Sequence, residues 1–168
     1  MNLRSLIPLI VLAALAASGT YLLWPQWQPT SPGSQKLAIS LDNFAPGMTE
    51  AQVLSAIKSP ALNCIDQPGF FMGGRVCQAR LSSYLDIPAL FVAFFFKNGS
   101  LSGVKVDVPN AQHRAMGTAL LSKYGPPTIE GKDAKDVVGW KLPKGKMIYN
   151  RERATDPSVH NTVLWVSD

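Results

Sequence analysis

Leu90-Phe91-Val92-Ala93-Phe94-Phe95-Phe96-Lys97-Asn98-Gly99-Ser100-Leu101-Ser102-Gly103-Val104-Lys105-Val106-Asp107-Val108 is the stretch whose reading decides the fold. Two β-rich runs flank Asn98-Gly99, the dipeptide that favours a two-residue type I′ turn because both positions accept positive φ. Counting outward from that turn pairs Lys97 with Ser100, Phe95 with Ser102, Ala93 with Val104 and Phe91 with Val106. The register puts Phe91, Ala93, Phe95, Val104, Val106 and Val108 on one face and Val92, Phe94, Phe96 and Leu101 on the other. Both faces are then apolar over part of their length, which predicts a central hairpin covered on both sides. An exposed Phe94/Phe96/Leu101 patch would instead mark a partner site.

Upstream, Gly47-Met48-Thr49-Glu50-Ala51-Gln52-Val53-Leu54-Ser55-Ala56-Ile57 reads as a short helix. Thr49 and Gln52 have the spacing of a capping box, Val53, Leu54 and Ile57 form an apolar stripe, and Pro60 stops the helix. Cys77 to Tyr84 alternates as one strand, with Cys77, Ala79 and Leu81 facing one way. Downstream, Asn110 is the expected N-cap of a second helix carrying Met116, Ala119, Leu120 and Tyr124, closed by Gly125 and Pro126-Pro127. Three strands follow: Val137 to Leu142 and Lys146 to Arg151 around Pro143-Lys144-Gly145, then Asn161 to Val166. Trp140 and Trp165 fall among apolar neighbours there and are expected in the core. The expected class is α+β, two short helices packed on an antiparallel sheet.

The first 35 residues carry a separate message. Arg4 precedes an uncharged, mostly apolar run from Ser5 to Trp24, and Pro25 to Gln35 is rich in Pro, Gln and Ser. A run of about 20 apolar residues can span a bilayer, and Tyr21 and Trp24 suit its interface. Ala14-Leu15-Ala16 also offers a signal-peptidase site. Two readings follow: an uncleaved anchor, or a signal cleaved after Ala16. The expected divisions are residues 1–24 as signal-anchor or signal peptide, 25–35 as linker and 36–168 as a periplasmic domain. The first reading gives a single-pass bacterial inner-membrane protein with its C-terminal domain in the periplasm. The second releases that domain into the periplasm. No cysteine stands just after the apolar run, which disfavours lipidation.

Export suits the two cysteines. Cys64 and Cys77 bracket a loop containing Pro68, Gly69, Gly73 and Gly74, and a small exported domain gains from a disulfide. A redox site would need closely spaced cysteines, and a metal site would need histidine or further ligands nearby. The disulfide is therefore the expectation; no metal or cofactor is expected. Within the loop, Phe70, Phe71 and Met72 are either a flap folded over the sheet or part of a contact surface with Arg75.

Of the 168 residues, Lys and Arg number 16 and Asp and Glu 11, and residues 123–153 hold much of the excess. Lys132, Lys135, Lys141, Lys144 and Lys146 are candidate contacts for anionic lipid, against the alternative of an ordinary solvated face. No nucleic-acid motif accompanies the charge. Ser55-Ala56-Ile57-Lys58 matches the serine–lysine pattern of penicillin-interacting enzymes, but at a helix C-terminus and without companion motifs. His113 and His160 have no nucleophile or orienting carboxylate at useful spacing. The chain is not expected to be an enzyme.

Phe44-Ala45-Pro46-Gly47-Met48-Thr49-x-x-Gln52-Val53 resembles the helix start of the SmpA/OmlA (BamE) outer-membrane assembly lipoproteins and of domains sharing the fold of the β-lactamase inhibitor protein. Leu121-Ser122-Lys123-Tyr124-Gly125-Pro126-Pro127, followed by Trp140 and Leu142, is similar to small exported bacterial proteins of this type. The resemblance implies two helices against an antiparallel sheet and, for the inhibitor-like domains, a short-range disulfide after the first helix. The expected function is a non-enzymatic, membrane-tethered periplasmic protein-interaction module, accessory to an envelope complex or inhibiting an exported enzyme. The alternative is a binder of anionic lipid, lipopolysaccharide or peptidoglycan through the basic region.

Overall fold

Asn98 and Gly99 both adopt positive φ, 52° and 77°, and the hairpin they close lies at the centre of the sheet. The computed structural model describes residues 37–57, 62–129 and 136–167. The Ser5–Trp24 run, the linker, the Lys58 and Pro60 expectations, Lys132 and Lys135 lie outside the described residues. In chain order the elements are β1 (Ala38–Ile39), α1 (Glu50–Ile57), β2 (Asn63–Asp66), β3 (Arg75–Arg80), β4 (Ser83–Tyr84) and β5 (Ile87–Pro88). There follow β6 (Phe91–Lys97), β7 (Ser100–Val108), α2 (His113–Tyr124), β8 (Val137–Leu142), β9 (Gly145–Asn150) and β10 (Asn161–Val166). Seven strands form an antiparallel sheet in the order β2-β3-β6-β7-β10-β9-β8. Two antiparallel meanders thus meet where β7 pairs with β10, and β1, β4 and β5 form a small sheet apart.

The hairpin register begins as expected, with Lys97 opposite Ser100, and then shifts by one residue at a bulge between Phe95 and Phe96. Phe95 consequently opposes Gly103 instead of Ser102, Ala93 opposes Lys105, and Phe91 opposes Asp107. A bulge adds one unpaired residue, and because side chains alternate with period two it exchanges the faces beyond it. The physical gain is a sorted hairpin. Phe96/Leu101, Phe94/Val104 and Val92/Val106 now share one face, and all six are buried. Phe91, Ala93 and Lys105 share the other and remain half-exposed. The expected cover on both sides is corrected accordingly: one face is sealed and the other is covered only in part.

Both helices lie on the sealed face. α1 starts with the expected capping box, in which the Thr49 N–H donates to Gln52 Oε1 at 2.8 Å and the Gln52 N–H donates to Thr49 Oγ1 at 3.3 Å. Its Val53 and Ile57, with Met116 and Leu120 of α2, join Phe94, Val104, Val163 and Trp165 in one core cluster. Trp140 is also buried there, and its indole N–H donates to the Gly125 carbonyl at 2.8 Å.

Two local expectations change. Asn110 does not cap α2: it opens a 3-10 turn, Asn110–Gln112, and its side chain is buried. Its Nδ2 lies within hydrogen-bond reach of the Ala154, Asp156 and Val159 carbonyls, so it ties down the loop before β10. The Cys77–Tyr84 strand ends early, at Arg80, because the Leu81 N–H donates to Leu90 and the Ser82 N–H to Leu37. The alternation of Cys77, Ala79 and Leu81 toward the core persists through that break.

Candidate interaction site

The half-open face is built from rows of side chains that cross the strands. One row runs Ile65, Val76, Phe95, Gly103, Val166, Lys146 and Lys141; the next runs Gln78, Ala93, Lys105, Leu164 and Ile148. Onto the first row folds the loop between β2 and β3. Cys64 and Cys77 stand directly opposite in that hairpin and form the expected disulfide.

The loop is held by several independent contacts. The Gln67 N–H donates to the Gly74 carbonyl at 2.7 Å and the Gly73 N–H to Phe70 at 3.0 Å. The Ser102 hydroxyl lies within hydrogen-bond reach of the Met72 carbonyl and of the Phe95 carbonyl, the latter at 3.0 Å. Gly73 has φ 146°, and a Cβ there would stand 2.4 Å from the Phe96 carbonyl oxygen, so only glycine permits this approach. Met72 is buried against Val76 and Phe95, and its methyl group fills the space that a side chain at Gly103 would need. The Phe70 ring stacks at a tilt 5.5 Å from Phe95 and 4.8 Å from Phe71. Phe71 is left 79 % exposed, with Phe70 at 39 % and Ile65 at 41 % beside it.

The structure therefore brings Phe70, Phe71 and Met72 together as a fixed flap and sends Arg75 elsewhere. Arg75 alternates to the helix side, where its guanidinium meets Glu50 at 2.8 Å and Asp66 at 3.0 Å. The hydrogen bonds it donates to Glu50 and then to Asp66 raise its pKa further above the ordinary arginine range. It clamps the first turn of α1 to β3. Glu50 also approaches Cys64 and Cys77, but sulfurs bonded to each other are not thiolate ligands, so this cluster is no metal site.

Open-face residues that sequence reasoning missed are Ile65, Ile148, Leu164 and Val166. Period-two alternation within β9 and β10 was the available signal; which alternate set faced the core depended on pairing across the sheet. Of the candidate lipid contacts, Lys141 and Lys146 face each other across β8 and β9, and Lys144 lies in the turn between them. Lys144 also borders a cavity of about 320 Å³ on the helix side, floored by Leu41, Phe44 and Trp165. At that rim Lys123 meets Asp42 at 2.6 Å, and its hydrogen bond is the main cause holding the Asp42 carboxyl below its ordinary range.

The histidines have structural surroundings. His113 is half-buried rather than exposed; its ring stacks on Tyr149 and its Nε2 lies 3.1 Å from the Asn150 carbonyl. His160 is exposed. Among the described residues neither ring touches a carboxylate or a hydroxyl by hydrogen bond. Ser55 is exposed on α1. No helix among the described residues is long and apolar enough to cross a membrane. No known protein family, curated protein or solved structure matches this chain.

Proposed function

We propose that this chain is a non-enzymatic, membrane-tethered periplasmic module that binds a protein partner through the Phe70–Phe71 flap and the half-open sheet face beside it. The observation that carries the reading is Phe71, 79 % exposed on a loop that a disulfide and the Gly73–Phe96 approach hold in place. An aromatic ring fixed in water forgoes burial worth about 2 kcal/mol, whereas at an interface it is a ready anchor with little ordering entropy left to lose. The tether rests on the Ser5–Trp24 run, and the envelope role on the resemblance of the helix start to the outer-membrane assembly lipoproteins. The test is recovery of the full-length protein from mildly solubilised membranes, beside a Phe71→Ser variant. A stoichiometric protein partner lost with Phe71→Ser supports the module; recovery of both proteins alone rejects it.

A second reading has its own observation. Lys141, Lys144 and Lys146 on one hairpin offer a cationic rim to anionic lipid or glycan. Association of that kind falls steeply with salt; a flat salt response argues against it.

A further inference from the structure

The half-open face carries apolar side chains around a central Lys105, which Asp107 pairs, and cations at its margins. Ala93, Leu164, Ile148 and Val166 are all half-exposed, with exposed Phe71 rising at one end as a wall. Arg80, beside Phe91 on the same face, and Lys141, on the outermost strand, stand at its margins. Among the described residues neither has an ionic partner. The acid beside these rows, Asp107 opposite Phe91, is already held by Lys105 at 2.9 Å and by the Thr162 hydroxyl at 3.0 Å. An occupant must therefore supply apolar side chains and its own negative charge.

The backbone decides its conformation. Strands β3, β6, β7, β10 and β9 are paired on both sides, so this face offers no free N–H or C=O groups to an extended peptide. At the outer strand β8, the Thr128 and Ile129 N–H groups already donate to Gly139. A chain lying on the face has to satisfy its backbone internally, as a helix does. The opposite face already receives α1 and α2 in this way. We propose that the face from Phe71 and Ala93 to Leu164 and Ile148 receives an amphipathic α-helix of a partner protein whose apolar stripe is flanked by acidic side chains. This rests on the protein-binding function proposed above and adds the shape and charge of the ligand.

The test uses the full-length protein in neutral detergent and two fluorescent 20-residue peptides with the same leucine stripe, one flanked by glutamates and the other by lysines. Anisotropy should show the glutamate peptide binding at least about tenfold more tightly. Leu164→Glu should weaken it at least about tenfold, and Leu164→Ala, a milder change, by a few-fold. The double variant Arg80→Glu, Lys141→Glu should reverse the preference between peptides. Because micelle partitioning of each peptide is constant across variants, these differences report the protein face. Unchanged melting of the variants keeps the comparison one of binding. Equal affinities, or indifference to Leu164→Glu in a folded protein, overturn the proposal.

Two further outcomes also overturn it. A fluorophore at Ile148→Cys that shifts to the blue in proteoliposomes containing phosphatidylglycerol, but not in phosphatidylcholine alone, assigns the face to lipid if neither peptide is preferred. A dimer abolished by Leu164→Glu assigns it to a second copy. Partner recovery that still depends on Phe71, without peptide discrimination, refutes the helical ligand and leaves the module intact.

Discussion

The two faces of the seven-stranded sheet come from the same strands but meet different fates. On one, Phe94, Val104, Val163 and Trp165 are sealed beneath α1 and α2; on the other, Ala93, Lys105 and Leu164 stay half in water. Only a corner of the second face is closed, by Met72 against Val76 and Phe95. The sealed face carries most of the apolar burial, which is where the stability lies. The half-open face keeps apolar groups accessible by fixing them, through the disulfide and the glycine approach, rather than by burying them. Stability and recognition are thus expected to separate by face.

The sharpest way to break this comparison is on the sealed side. Trp165→Ala or Phe94→Ala should lower unfolding free energy by about 3–5 kcal/mol in urea titrations, with loss of folded protein at the upper end. If either cost no more than a surface change, the assignment of the core would fail. Next comes the staple. Removing the disulfide by Cys64→Ser with Cys77→Ser should cost about 3 kcal/mol. It should also raise amide hydrogen exchange in residues 67–74 well before that of β10. Uniform loosening would mean that the flap is not a separate unit.

Smaller effects sharpen the contrast. Gly73→Ala places a Cβ against the Phe96 carbonyl and an L side chain at φ 146°, so it should cost about 1–3 kcal/mol. Its damage should concentrate in the flap, seen as greater protease sensitivity near Phe71. Phe71→Ser should change stability by under about 0.5 kcal/mol while abolishing partner recovery, a separation that a buried residue would not show.

The smallest effect concerns the ion pair at the rim of the sealed face. Lys123 holds the folded Asp42 carboxyl below its ordinary value of 3.8, so the pair stabilises the protein above that pH and is lost as pH falls through the lower folded value. Asp42→Asn should cost about 0.5 kcal/mol or less at pH 7, since the pair is partly solvated, and the difference should vanish in strong acid. A difference that persisted there would assign the effect to packing instead.

Local chemistry was legible wherever neighbours in sequence complete the interaction. The Thr49–Gln52 capping box, the Asn98-Gly99 turn and the α2 stripe of Met116 and Leu120 all act within one or two turns of chain. β8 and β10 were legible in full. The disulfide was legible as well, from two cysteines that bracket a glycine-rich loop. Asn110 was misread because a polar residue before a helix ordinarily caps it, whereas here the 154–159 loop supplies its partners from more than 40 residues away. The short β2 gave no periodic signal within four residues and is defined by its pairing with β3.

What the sequence determined by itself was the α+β class, the capping box of α1, the central hairpin and the paired cysteines, because each is set by short-range sterics and hydrogen bonding. Tertiary structure decided the faces. The bulge at Phe95/Phe96 shifts every earlier residue of β6 by one place, and burial of Phe94 beside Val104 and of Val92 beside Val106 settles that register. That long-range gain seals one side under the helices. It leaves Ala93, Ile148 and Leu164 on the other, which is why the candidate binding face could be seen only after folding.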